Sequence, residues 1–231
     1  MKKLAYTVVA VAAGLWTSAA AATTIDIGLN TVNNISTITN EGGPLSSPNA
    51  QGGNFDGWTY VVSGSIPPQP GLLDSDTIDI ANALPTALGG NLYVYVTEQG
   101  ITSALGVGDF FSSFTSNSLP KGWTLTEQTF LSSTDALWTG TLLDSQPFTT
   151  IGTGTQIASA DAGSGPYSVT EEYIIHATTT GGSTNDTIDL STPLPGALAL
   201  FASGLALLGY AGRRRQRKDA RALSAQHVAV A

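Results

Sequence analysis

Three closely spaced aspartates in Asp74-Ser75-Asp76-Thr77-Ile78-Asp79 form the segment whose residue types best suit a chemical role. Hard cations such as Ca²⁺ take oxygen ligands, and carboxylates supply them. We therefore predict a calcium site at Asp74, Asp76 and Asp79, and no other cofactor. The segment departs from an EF-hand loop because Ile78 stands where the fifth-position ligand is required. The alternative interpretation is a solvated acidic turn.

Side chains suited to catalysis are few. His176 is the only histidine upstream of the C-terminal tail, and no G-x-S-x-G segment accompanies it. Glu171 and Glu172 are adjacent, so on a strand they point to opposite faces and cannot serve one substrate together. Nothing in the sequence supports a pairing of Glu127 with Asp135. The sequence therefore predicts a protein that is not an enzyme, with His176 on the wet face of a strand.

Aromatic residues next to glycine suggest a different role, the stacking of sugar rings. The segment Phe55-Asp56-Gly57-Trp58 is the clearest instance. Aromatic side chains at such positions more often pack in a sandwich core. Binding of carbohydrate is therefore kept as the alternative to a purely structural role.

Short apolar runs, bounded by Gly, Pro, Asn and Asp, predict strands and turns across residues 23–191. This pattern favours an all-β fold, an antiparallel β-sandwich of jelly-roll type. We predict a short helical or lid-like segment at Thr102 to Phe114, and a loop at Gly152 to Gly165. Three T-I-D-[IL] tetrads begin at Thr24, Thr77 and Thr187. We attribute them to chance in a sequence rich in Thr, Ile and Asp, and the alternative is a repeated edge-strand device. The predicted strands are Thr23 to Leu29, Trp58 to Ser63, Asn91 to Thr97, Trp123 to Leu131, Ala136 to Leu143 and Tyr167 to Thr178.

Charge is distributed very unevenly along the chain. Residues 23–191 contain sixteen acidic residues and one basic residue, Lys121, a net charge of −15. A polyanion needs a basic footprint, so nucleic acid is excluded as a partner, and so are anionic lipid headgroups. The chain has no cysteine, which excludes thiol catalysis and thiolate metal sites.

The N-terminus has the three regions of a secretory signal peptide. Lys2 and Lys3 are followed by an apolar run from Leu4 to Trp16 and then by small residues up to Ala22. This pattern directs a chain across the inner membrane and is removed by cleavage. We predict residues 1–22 to be the signal peptide and residues 23–191 to be one extracytoplasmic domain.

The C-terminal region predicts a single transmembrane helix. From Leu194 to Gly212 there are 19 residues without a charge, long enough to cross a bilayer. A basic cluster follows and would hold that side in the cytoplasm. Its members are Arg213, Arg214, Arg215, Arg217 and Lys218. Residues 219–231 would then form a cytoplasmic tail.

The short motif Pro193-Leu194-Pro195-Gly196, the apolar span and the arginine cluster together resemble a PEP-CTERM sorting signal, in its VPLPA variant. Leu194 stands where the commonest form of the signal has Glu. The resemblance covers residues 192–218. It implies a Gram-negative bacterium, recognition by an exosortase-class membrane transpeptidase and cleavage near the proline motif.

The resemblance also implies delivery from a transient membrane anchor to the cell surface or an extracellular polysaccharide matrix. We therefore predict a structural surface or biofilm-matrix protein that is a sortase substrate. A carbohydrate-binding or adhesive module with the same targeting is the alternative, and a secreted hydrolase is the third hypothesis.

Overall fold

The computed structural model describes residues 24–32, 38–40, 49–67, 71–82, 89–102 and 107–192. These residues form twelve strands, and the predicted all-β class is confirmed. The strands are β1 (Thr24–Asn30), β2 (Thr39–Asn40), β3 (Asn49–Phe55), β4 (Trp58–Ser65), β5 (Gly71–Asn82), β6 (Asn91–Ile101), β7 (Val107–Ser118), β8 (Thr124–Ser132), β9 (Thr141–Phe148), β10 (Gly152–Asp161), β11 (Tyr167–His176) and β12 (Ser183–Ser191).

The strands form two antiparallel sheets of six strands each. The order is β2-β1-β6-β11-β8-β9 in the first sheet and β10-β7-β12-β5-β4-β3 in the second. In the first sheet, β11 lies between β6 and β8. In the second sheet, β12 lies between β5 and β7. Strand β9 then adjoins β8, and β10 adjoins β7, which is the connectivity of an eight-stranded jelly roll. Strands β1 to β4 extend both sheets beyond it.

Alternating side chains explain why the two sheets pack together. In β4, Trp58, Tyr60 and Val62 are buried, while the residues between them are partly or fully exposed. This is the period of a strand with one face in the core. Trp58 meets Trp123, which precedes β8 in the first sheet, edge to face with ring centroids 5.8 Å apart. Such aromatic pairs bury large apolar areas and bind the two layers together.

Two predictions about local structure are wrong. Most of the predicted helical segment at Thr102 to Phe114 is strand β7, in which buried Phe110, Ser112 and Phe114 alternate with more exposed residues. Residues 152–161 of the predicted loop form strand β10. Its glycine and hydroxyl residues are typical of loops, but its pairing with β7 over the whole strand determines the structure.

The predicted strand from Ala136 to Leu143 is only partly correct. Strand β9 begins at Thr141, and residues 133–140 form a connection from β8 that lies against the outer face of the first sheet. Trp138 contacts Tyr95 of β6 there, with ring centroids 6.0 Å apart. No membrane-spanning helix occurs among the described residues. The predicted signal peptide and transmembrane helix lie outside them.

Candidate functional site

The three aspartates of the calcium prediction lie on β5. Asp74 and Asp76 point outward from the second sheet, because buried Ser75 and Thr77 take the inward positions. Asp79 lies beyond a β-bulge and opposite Val61. The structure instead brings Asp189 of β12 directly opposite Asp74. Burial, then the charges of Asp76 and Asp189, raise the pKa of Asp74.

We call Asp74, Asp76 and Asp189 the acidic patch. Thr187 donates a hydrogen bond of 2.7 Å to Asp76 Oδ1, which occupies one of its acceptor oxygens. No group of three or more His, Asp or Glu side chains in the described part of the chain is arranged to hold a metal ion. Calcium binding at Asp74, Asp76 and Asp79 stays a prediction from the sequence.

His176 ends strand β11 and is partly buried. Its Nδ1 lies 3.0 Å from Asn91 Oδ1 on the neighbouring strand β6. Asn91 in turn donates from its side-chain nitrogen to the Tyr93 hydroxyl at 3.1 Å. An amide orients the imidazole but does not supply the carboxylate of a Ser-His-Asp triad. Among the described residues, no serine or aspartate hydrogen-bonds to His176.

Glu171 and Glu172 point to opposite faces of the first sheet, as predicted. Glu171 faces the second sheet near Ser75, whereas Glu172 pairs with the Tyr95 hydroxyl on the outer face. Burial raises the pKa of Glu172 to about 6, and the hydrogen bond to Tyr95 opposes that shift. Two carboxylates separated by a sheet cannot act on one glycosidic bond.

Glu127 and Asp135 do not come together either. Asp135 lies in the connection 133–140, where its Oδ1 accepts a hydrogen bond of 2.8 Å from the Gly100 amide. Glu127 is fully buried in the middle of β8. Its neighbours there include Asp186 and Glu171.

We call Glu127, Glu171 and Asp186 the buried acid cluster, which the sequence did not reveal. All three carboxyl groups lie between the sheets, and each is 0% exposed. No hydrogen bond of good geometry reaches the carboxyl oxygens of Glu127 or Glu171 from the described residues. Burial of an unpaired carboxylate is very costly, so a group in such a position takes up a proton instead.

The pKa values of the cluster follow from this environment. Burial, and next the charge of Asp186, raise the pKa of Glu127 to about 9. Burial also raises the pKa of Glu171 well above its usual range. Burial raises the pKa of Asp186 less, to about 6, because the Thr184 and Thr77 hydroxyls donate hydrogen bonds to its carboxylate and favour the charged form.

The aromatic segment Phe55-Asp56-Gly57-Trp58 is a hairpin turn and not a sugar-stacking platform. Asp56 and Gly57 have φ values of 44° and 87°, which match the left-handed backbone of a type I′ turn. Trp58 is 1% exposed in the core. No aromatic side chain of the described residues is among the exposed large hydrophobic ones.

An open depression lies on the second sheet where β7 meets the start of β10. It has a volume of about 390 Å³ and is lined by Thr115, Ser116, Asn117, Ile151, Gly152 and Thr153. Asn117 donates hydrogen bonds from its side-chain nitrogen to Asn185 at 3.1 Å and Thr187 at 3.3 Å, which hold its amide in place. Ile151 is 64% exposed and contributes an apolar contact surface. The lining contains hydroxyls, an amide and one aliphatic side chain.

The residues of the predicted sorting signal lie outside the described part of the chain. They are the motif residues Pro193, Leu194, Pro195 and Gly196, and the basic residues Arg213, Arg214, Arg215, Arg217 and Lys218.

Comparisons with known proteins give structural resemblance only. No family model matches the chain, and no curated protein matches it. TmCBM61 in complex with β-1,4-galactotriose is similar at 11% identity and a TM-score of 0.32, over 64% of this chain and 88% of that one. A cleaved adhesin domain of Lys-gingipain from Porphyromonas gingivalis is similar at 14% identity and a TM-score of 0.34. The match covers 68% of this chain and 95% of that domain.

A carbohydrate-binding module of a lichenase from Cellvibrio mixtus, in complex with cellotriose, is similar at 11% identity. Its TM-score is 0.23, and the match covers 64% of this chain and 89% of that module. These identities and TM-scores are low, and they assign neither a ligand nor an activity to this chain.

Proposed function

We propose that this chain is an exported cell-surface or extracellular-matrix protein whose β-sandwich adheres to a neutral polysaccharide. The observation that carries the adhesive role is the open depression between β7 and β10. The hydroxyls of Thr115 and Thr153 and the amide of Asn117 match the hydroxyl groups of sugars as hydrogen-bond partners, and Ile151 offers an apolar contact. It contains no ionisable side chain, which favours binding over catalysis.

The charge of the domain narrows the class of ligand. A net charge of −15 on residues 23–191 repels acidic polysaccharides, so the ligand is uncharged. The lining of the depression requires no opposite charge on the ligand either. Neutral glucans and galactans have the required chemistry.

Retention on polysaccharide tests this role. The full chain, purified in detergent, is tested for retention on cellulose. Its binding to soluble galactan and dextran is measured by affinity electrophoresis, with alginate as the acidic comparison. Asn117→Ala removes the amide of the depression, and Asn54→Ala, at an exposed position on β3, is the matched control. We expect N117A to weaken retention by about tenfold, the value of one hydrogen bond of about 1.4 kcal/mol, and N54A to leave it unchanged.

If N117A and N54A change retention by the same amount, the polysaccharide does not bind at the depression between β7 and β10. If no neutral polysaccharide retains the wild-type chain, the domain is a passive structural component of the matrix.

The export and sorting of the chain are supported by its two ends. The signal-peptide pattern precedes the domain, and the Pro-Leu-Pro-Gly motif, the apolar span and the basic cluster follow it. We propose that an exosortase-class enzyme cleaves near Pro193 to Gly196 and releases the domain to the surface. In that process these residues are a substrate.

Intact mass spectrometry of protein recovered from the surface of its host tests the targeting. We expect a start near Thr23 and an end near Pro195. An intact segment from Arg213 to Ala231 would mean a permanently anchored inner-membrane protein, and the matrix role would be wrong.

A further inference from the structure

Strand β10 forms one edge of the second sheet. It pairs with β7 through all its residues, from Gly152 to Asp161, without a shift of register. No described strand pairs with its other side. A long edge strand presents a row of unpaired backbone N–H and C=O groups, which is a template for pairing with another chain.

Among the described residues, two of the other three edge strands are blocked in ways that β10 is not, and the third, β3, is shorter than β10 and contains two adjacent glycines. Strand β2 has two residues. Strand β9 contains Pro147, which has no N–H, and its Ser145 carbonyl accepts a hydrogen bond of 2.8 Å from the Gln156 side chain. Proline, lysine, bulges and short length are the usual protections of an edge. Strand β10 has none of these four.

The charge of β10 indicates what its partner is. On a domain with a net charge of −15, β10 carries one charged residue, Asp161, at its end. Two copies can therefore approach along β10 without placing carboxylates against each other. The edge therefore offers a basic strand no row of carboxylates to pair with, whereas an uncharged strand such as a second β10 fits. The repulsion between two domains of charge −15 is screened beyond about 10 Å at 0.1 M salt. The centre of the edge is Ile157, whose side chain is 64% exposed.

We propose that β10 pairs with β10 of a second copy of this chain, antiparallel, about a two-fold axis at Ile157. The two copies form one continuous sheet only if the residues that point outward on one β10 lie opposite residues that point outward on the other. An axis at Ile157 satisfies this, because Ile157 then faces its own equivalent and Thr155 faces Ser159. Asp161 faces Thr153 and not another carboxylate. The contact is self-complementary, as a two-fold interface requires.

Cysteine cross-linking of the full chain tests the pairing against a clean background, because the sequence contains no cysteine. In Ile157→Cys the two thiols lie on directly opposite residues, close enough for a disulfide in an oxidising compartment. Ile151→Cys is the matched control, since Ile151 is equally exposed at 64%. In the proposed dimer, residue 151 of one copy is displaced along the strand by about twelve residues from residue 151 of the other copy. At about 3.4 Å per residue, the two lie about 40 Å apart.

We expect non-reducing electrophoresis of the exported protein to show a disulfide-linked dimer for I157C and at least tenfold less for I151C. A mixture of differently tagged T155C and S159C chains should form the mixed dimer. Equal cross-linking of I157C and I151C would overturn the proposal. The proposal would also be overturned if I157C stays monomeric under oxidation although its circular dichroism spectrum shows that it is folded like the wild type. The pairing does not rest on glycan binding, which N117A tests on β7.

Discussion

The hydroxyl of Tyr173 on β11 donates a hydrogen bond of 2.7 Å to the backbone carbonyl of Ser75 on β5, across the two sheets. The same oxygen accepts from the Ile188 amide of β12 at 3.0 Å and lies 2.8 Å from the Ser75 hydroxyl. Because the single Tyr173 proton is given to the carbonyl, Ser75 must donate in the second contact. One buried hydroxyl therefore connects three strands.

Tyr173→Phe should destabilise the domain by about 1–3 kcal/mol, because buried polar groups of Ser75 and Ile188 lose their partner. Chemical denaturation followed by tryptophan fluorescence measures the change. Ser75→Ala is the milder comparison, since the bond from Tyr173 to the backbone carbonyl persists. A Y173F variant as stable as the wild type would show that water replaces the hydroxyl.

Stability should fall as the pH rises from about 4.5 to about 9. In this range two buried glutamates, Glu127 of the buried acid cluster and Glu98 of β6, bind more protons in the folded than in the unfolded state, so the free energy of unfolding decreases with pH. The groups responsible are Glu127, with a pKa raised to about 9, and Glu98, with a pKa raised to about 8, both by burial. Below pH 4.5 their contribution is fully present. Denaturation midpoints at pH 5, 7 and 9 measure the trend.

Glu127→Gln provides the control for the pH dependence. Glutamine has nearly the same shape and cannot ionise, so E127Q should show a flatter decline, by up to about 1.4 kcal/mol per pH unit between the two pKa values. Thr124→Ala, at an exposed position of the same strand, should keep the wild-type slope. Stability that increases from pH 5 to 9 would contradict the assignment of neutral acids in the core.

Gly28→Ala should destabilise the contact between β1 and the connection 133–140. A Cβ at Gly28 would lie 2.6 Å from Ile38 and 3.1 Å from the Trp138 ring, so both must shift. Overpacking of this kind costs about 1–3 kcal/mol. Gly165→Ala, where a Cβ meets nothing within 4 Å, should change stability by less than about 0.5 kcal/mol. Thermal unfolding of the two variants compares them, and equal midpoints would show that the Trp138 side chain moves freely.

The all-β class was predictable because strand periodicity and turn residues are local properties. The alternation in Trp123 to Thr126 and in Tyr167 to Thr170 is visible in the sequence, and the structure has strand β8 from Thr124 and strand β11 from Tyr167. Strands β7 and β10 were not predictable. Phe110, Phe111 and Phe114 have a spacing that suits a helix, and β10 has the composition of a loop. Pairing with neighbouring strands decided both.

The T-I-D tetrads illustrate the same limit. Thr77 to Ile80 and Thr187 to Leu190 lie on adjacent strands, and the pairing places Thr77 opposite Asp186. The sequence shows that the tetrads are similar, but only the register shows that two of them meet in the middle of the second sheet.

The sequence by itself determined the charge of −15, the absence of cysteine and the predicted targeting signals, because these depend on composition and on contiguous segments. Only the tertiary structure decided the environment of each carboxylate. Glu127, Glu171 and Asp186 come from three strands, yet they lie together between the sheets, while Asp74 and Asp189 face solvent. Burial and distance through space set the pKa of an acid, and neither can be read along the chain.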